Sequence, residues 1–178
     1  MSVNAQSVSQ VLSSADESVS IRGETLTIRR VYMWANNMPG LNSNPQSSGH
    51  NITVHIRRQS ESALTDDAPK VLKLHVVQTS SLNDLTSFAS NLDSTRYFSW
   101  DGPQLQGLTA QESLDESAAI EHKFVLTRPR GWRGFDDEIE IQAWKGPTWA
   151  GGRDFVALVE FEGGKVLRTD VQSADVVY

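Results

Sequence analysis

The chain contains no cysteine. A disulfide framework, a thiolate metal site and a cysteine nucleophile are therefore excluded, while cytosol and periplasm both stay open. Long apolar runs are also missing. None exceeds five residues, the length of Phe155 to Val159, against the roughly 20 that a membrane-spanning helix needs. No membrane insertion is expected. The first 18 residues hold no Lys, no Arg and no apolar block, so no secretory signal is visible. The chain reads as cytoplasmic as written, and as periplasmic or secreted if a signal has been removed. Basic residues are outnumbered 16 to 22, for a net charge of −6. General binding to nucleic acid or to an anionic membrane needs basic surface, so neither is expected.

Catalytic signatures are scarce as well. There is no Gly-x-Ser-x-Gly elbow, no phosphate-cradling Gly-rich loop and no His-Glu-x-x-His, so no nucleophile, nucleotide site or zinc site is marked by spacing. His55 and His75 each sit mid-strand, opposite the apolar residues. If those strands pair, the imidazoles would meet and, with His50, Asp66 or Asp67, hold a divalent metal. Exposed histidines account for the pattern equally well. His122 falls on an apolar face and reads as a hydrogen-bonded core residue. Asp136-Asp137-Glu138 reads as a solvated entry into a strand, since no EF-hand spacing follows. No cofactor, no metal and no catalytic residue is assigned. A metal-dependent enzyme remains an alternative.

What is present is β-pattern. The length, 178 residues with 38% hydrophobic content, suits one domain with an ordinary core. Residues 1–18 are rich in Ser, Gln and Asn and read as a weakly ordered polar lead, or a short helix around Val8 to Leu12. The domain spans 19–178. From Val19 the period becomes two, with Leu26, Ile28, Arg30, Tyr32 and Trp34 on one face and Thr25, Thr27 and Arg29 on the other. Further strands are expected around 52–57, 72–77, 95–100, 120–127, 139–141, 155–161 and 166–171. The segment 155–161 is apolar on both faces, as in a central buried strand. Gly163-Gly164 reads as a two-residue hairpin loop that needs positive φ. One short helix is expected over 80–94, with Ser81 as N-cap and Asp84 in its first turn. The fold class is all-β: an antiparallel two-sheet sandwich of about eight strands with at most one short helix.

Two motifs stand out, Trp34-Ala35-Asn36-Asn37-Met38-Pro39 and Gly146-Pro147-Thr148-Trp149. Together they resemble a family of small, largely uncharacterised bacterial proteins carrying Trp-x-x-x-Met-Pro and Gly-Pro-x-Trp elements. The resemblance implies an immunoglobulin-like sandwich over roughly residues 25–178 and brings no established activity. Relatives often have Arg-Asp-Phe where Ala35-Asn36-Asn37 stands here. In each motif a Pro-fixed turn holds a large aromatic at low entropic cost. Trp34 and Trp149 either plug one end of the sandwich or form a rigid recognition patch there, with Met38, Pro39 and Pro147.

The segment 128–135 packs Arg128, Arg130, Arg133, Trp132 and Phe135 between two strands. Arg and Trp are the side chains most enriched at interaction hot spots, and guanidinium over indole is also a common internal pairing. The segment is either a self-packed cover or a recognition loop built on Arg130, Trp132, Arg133 and Phe135. The reading that follows is a noncatalytic interaction module, binding a protein partner or serving as a subunit of an assembly through its end loops. A carbohydrate-binding module using exposed Trp residues is the alternative. Oligomeric state does not follow from the sequence.

Overall fold

Apolar and polar residues alternate wherever one strand face meets a core, and that alternation sets the strands of this protein. A computed structural model of the chain describes residues 7–36, 50–60, 69–91, 93–101, 122–127, 136–143 and 153–177. In chain order these hold helix α1 (Val8–Ser14) and strands β1 (Ser18–Ile21), β2 (Glu24–Asn36), β3 (His50–Ser60) and β4 (Val71–Gln78). Helix α2 (Leu82–Ser90) follows, then β5 (Tyr97–Asp101), β6 (His122–Thr127), β7 (Asp136–Ala143) and β8 (Asp154–Phe161). The last three strands are short: β9 (Val166–Arg168), β10 (Gln172–Ser173) and β11 (Asp175–Val177).

The strands make two sheets. The first runs β1-β2-β3-β7-β6, with β11 also beside β2; the second runs β10-β8-β4-β5, with β9 also beside β8. Every pairing is antiparallel except β11 with β2. The expected all-β sandwich is present. Leu26, Met33, Ile52, Val54, Ile56, Ile139 and Ile141 of the first sheet pack against Leu74, Val76, Phe155, Ala157, Val159 and Phe161 of the second. A second apolar cluster covers the other face of the second sheet, where Val77, Val156, Leu158 and Val166 meet Val11 and Leu12 of α1 and Leu85 and Phe88 of α2. β8 is apolar on both faces because it is buried by the opposing sheet on one side and by helices on the other.

Three expectations change. The described strands number eleven rather than about eight, because β10 and β11 are too short to show a period and the first long strand is two. Arg22 (φ 52°) and Gly23 (φ 80°) turn the chain between β1 and β2, and Ile21 pairs with Glu24 across them. Positive φ at both positions matches the twist of a two-residue hairpin. There are two α-helices rather than at most one. The lead read as weakly ordered carries α1 from Val8 on, closed by a capping box. The Gln10 amide donates to the Ser7 hydroxyl (3.3 Å) and the Ser7 amide to the Gln10 side chain (3.2 Å). Only two apolar residues of α1 are buried, Val11 and Leu12, which is too weak a stripe to read in so polar a segment.

α2 follows the sequence reading closely. The Ser81 hydroxyl accepts from the Asn83 amide, and Asp84 lies in the first turn. The hairpin between β8 and β9 also forms where expected, with positive φ at Gly163 (83°) and Gly164 (78°). Glu162 joins the turn, however, so the loop is longer than two residues and the Phe161 amide donates to the Lys165 carbonyl at 2.8 Å.

Candidate functional site

β2 is the strand on which the two ends of the chain converge. β3 covers one of its edges from Glu24 to Ala35. On the other edge, β1 pairs over Glu24 to Thr27 and β11 pairs over Trp34 to Asn36. Between them, among the described residues, no strand pairs with Ile28 to Met33. The ladder to β3 also slips here: Ile28 lies opposite Ile56, but Arg30 lies opposite His55. Arg29 is therefore an extra residue, a β-bulge, which raises the local twist and re-aims the side chains that follow.

The bulge reverses which residues face inward. Before it, Leu26 is buried; after it, Val31 and Met33 are. Arg30, Tyr32 and Trp34 thus leave the face they were expected to share with Leu26 and turn to the outer surface of the first sheet. Tyr32 is 45% exposed, Trp34 is half-buried and Arg30 is exposed. The Arg30 guanidinium lies over the Tyr32 ring, 5.4 Å from its centroid. The cross-strand neighbours on this face are polar. Arg30 is opposite His55, which is opposite Glu140; Tyr32 is opposite Thr53, which is opposite Gln142; Trp34 is opposite Asn51.

Beside this stretch lies a cleft of about 320 Å³, walled by Ile28–Val31, by Glu17 before β1, by Arg168 at the end of β9, and by Thr169, Asp170 and Gln172 beyond it. Backbone bonds fix its far wall. The Asp16 amide donates to the Val166 carbonyl (3.0 Å), the Arg168 amide to the Asp16 carbonyl (2.9 Å) and the Thr169 amide to the Ala157 carbonyl (2.9 Å). The cleft is polar, with Arg29, Arg30 and Arg168 against Glu17 and Asp170. Arg168 reaches those carboxylates only at 3.7 and 3.8 Å, longer than a direct charge-assisted hydrogen bond.

Two other polar constellations are sealed. On the helix-covered face of the second sheet, the His75 ring lies between Tyr97 and Glu160, with Nδ1 2.6 Å from the Tyr97 hydroxyl and Nε2 3.1 Å from Glu160. A carboxylate only accepts, so with a neutral ring Nε2 carries the proton and Nδ1 accepts from the phenol. This hydroxyl–imidazole–carboxylate order resembles a relay, yet His75 and Glu160 are each only 2% exposed. Between the sheets, Arg58 (0% exposed) donates from Nε and Nη2 to the two carboxylate oxygens of Glu24, at 3.0 and 2.8 Å. Neither group is signalled by a motif. Their only trace is a charged residue at an apolar position of a strand.

Of the sequence-predicted binding residues, Trp34 is on the outer face just described. Met38, Pro39, Arg130, Trp132, Arg133, Phe135, Pro147 and Trp149 lie outside the described residues. By register, Ala35 and Ala143 mark one end of the first sheet, and Thr127 and Asp136 mark the other. His55 and His75 do not meet. β3 and β4 belong to different sheets, and both rings face away from the core between them. No trio of metal-binding side chains occurs among the described residues. The side chain of His122 is likewise outside what is described; by register it is opposite Ala143. No helix among the described residues is long and apolar enough to cross a membrane. Compared with known proteins, the chain matches no family model, no curated protein and no solved structure.

Proposed function

We propose that this protein is a noncatalytic, immunoglobulin-like interaction module that binds a protein partner along the β2 side of its first sheet. The observation that carries this reading is the interrupted edge. Natural sheets cover or blunt their edges because bare backbone donors and acceptors are templates for pairing. Here a stretch in the middle of the longest strand lies uncovered by any described strand and opens onto a polar cleft. The exposed Tyr32 beside it supplies the rigid aromatic area that interaction surfaces favour. Arg130, Trp132, Arg133 and Phe135, with Met38, Pro39, Pro147 and Trp149, stay in the proposal as binding residues on the sequence argument alone. The resemblance to small bacterial sandwich proteins belongs to this proposal too, as does a role as a subunit of an assembly.

The test is site-specific photo-crosslinking in the source cell. A photoreactive phenylalanine derivative replacing Tyr32 is expected to capture a discrete protein partner. The same group replacing Asn83, exposed on α2, is not. Adducts only at position 83, or none at 32, would overturn the reading. One observation favours a second reading. Tyr32 and Trp34 share the outer face with Asn51 and Gln142, a pairing of aromatic and amide side chains suited to a carbohydrate. A soluble polysaccharide that changes Trp emission, and loses that effect in Tyr32→Ala, would favour it.

A further inference from the structure

We infer that the outer face of the first sheet pairs with the same face of a second copy of this chain, about a two-fold axis that runs along β3. The inference rests on the interaction-module reading and names the partner as the chain itself.

Charge supplies the first argument. Beyond the bulge, one row of outward residues across the sheet is Arg30 on β2, His55 on β3 and Glu140 on β7. With strands about 4.8 Å apart, the backbone at Arg30 and at Glu140 is separated by roughly 10 Å. Among the described residues, the Arg30 guanidinium contacts the Tyr32 ring and Glu140 accepts from the Gln142 amide, and no ion pair joins either charge. Rotating a second copy by half a turn about β3 lays its β7 over β2 and its β2 over β7. Each Arg30 then faces the Glu140 of the other copy, and the two side chains together span the roughly 10 Å between packed sheets. An axis across the strands would instead set Arg30 over Arg30 and Glu140 over Glu140, so charge selects one arrangement.

Packing supplies the second argument. The next outward row is Tyr32, Thr53 and Gln142, and the same rotation sets the Tyr32 ring of one copy over Gln142 of the other. Among the described residues Tyr32 is the one exposed large hydrophobic side chain, and this contact covers it. Sheets packed face to face cross at about 30°, so the copies diverge away from this centre. Arg57, further along β3, thus moves off the axis, and it is already engaged within its own chain. The four strands β2, β3, β7 and β6, taken over the eight residues of β7, offer roughly 500 Å² per copy, about 1,000 Å² for the pair. That is the lower limit of a specific interface, so the dimer is reversible and depends on concentration.

Sedimentation equilibrium on the full chain tests the pairing. The wild-type mass is expected to rise with concentration from 19.7 kDa toward twice that value. Arg30→Glu alone and Glu140→Arg alone put like charges together, and each should weaken association at least about tenfold. An equimolar mixture of the two variants should restore it, because both contacts of the mixed dimer again join opposite charges. Rescue by mixing also shows that both variants are folded. Arg30→Gln and Glu140→Gln carry the test where a reversal alters the circular dichroism, and each should weaken association. A chain that stays monomeric, association unmoved by these substitutions, or a mixture of folded variants no stronger than its components would each overturn the inference. Crosslinking from position 32 separates it from the reading it rests on. Self-adducts support both. Adducts with a different protein, from a chain that is monomeric alone, would overturn self-pairing and leave the interaction module standing. Absence of adducts and of the dimer would remove both.

Discussion

Breaking the Glu24–Arg58 pair is the sharpest test of how the sandwich is closed. Arg58 occupies an inward position of β3, the next after Ile52, Val54 and Ile56, and lies opposite Leu26. Its guanidinium is fully buried and forks onto both oxygens of Glu24, which is 6% exposed. Removing one partner strands the other charge in a buried site, a loss of about 3–5 kcal/mol. In a domain of this size each kcal/mol moves the melting temperature by about 2–4 °C. Arg58→Met should therefore lower it by roughly 6–20 °C. Arg58 makes contacts beyond Glu24, so Glu24→Leu should fall at the lower end of that range. The double variant Glu24→Leu/Arg58→Met removes both charges and fills the space with carbon, and should be more stable than Arg58→Met alone. Urea unfolding, followed in parallel by circular dichroism and Trp fluorescence, measures all four proteins. An Arg58→Met variant within about 1 kcal/mol of wild type, or a double variant no better than the worse single one, would refute the reasoning.

Two further predictions concern the helix-covered face. His75→Leu deletes both ring hydrogen bonds and leaves Glu160 buried without its imidazole partner, and should cost about 3 kcal/mol in urea unfolding; Glu160→Gln, which keeps an acceptor, should cost less. Asp84 ties α2 to its surroundings. Arg96 donates to it at 2.6 Å and Thr79 at 2.9 Å, and these hydrogen bonds, that of Arg96 first, hold its carboxyl below the ordinary value of 3.8. A depressed folded value means stability that is fully present above the ordinary value and is lost as pH falls through the folded one. The stability difference between wild type and Asp84→Asn should therefore be flat from about pH 7 to about pH 5 and vanish on further acidification. Asp84 is 44% exposed, so screening should keep the difference below about 1 kcal/mol.

Most of the fold was legible because burial imposes a period. The alternation in β3 and β4 and the doubly apolar run of β8 each named a strand, and Ser81 with Asp84 named the start of α2. What was lost was lost locally. Arg22-Gly23 carries no standard hairpin signal at its first position, since a non-Gly residue with positive φ is uncommon, so β1 and β2 read as one. The bulge at Arg29 was invisible because a one-residue insertion leaves alternation intact on either side and only exchanges the faces. That single residue moved Tyr32 and Trp34 from the expected core face to the surface. The adjacent pair Arg29-Arg30 was the available sign, since regular alternation would point one of two consecutive long cations into the core.

Charged residues inside otherwise apolar strands fall into two physical groups here, and the division decides where function is sought. Arg58 and Glu160 interrupt apolar strands, but each is buried and ends on a partner of complementary chemistry. Such groups fix register, because a one-residue slip would carry Arg58 to solvent and an apolar neighbour with it. Arg29 and Arg30 interrupt β2 in a different way. They are exposed, they sit at the bulge, and they line a cleft whose opposite wall carries Arg168, which donates to the Thr169 carbonyl at 3.3 Å and reaches Glu17 and Asp170 at 3.7 and 3.8 Å. At the outer face of β2, by contrast, Tyr32 stands 45% exposed beside a polar cleft, and that is where the proposed partner surface is sought.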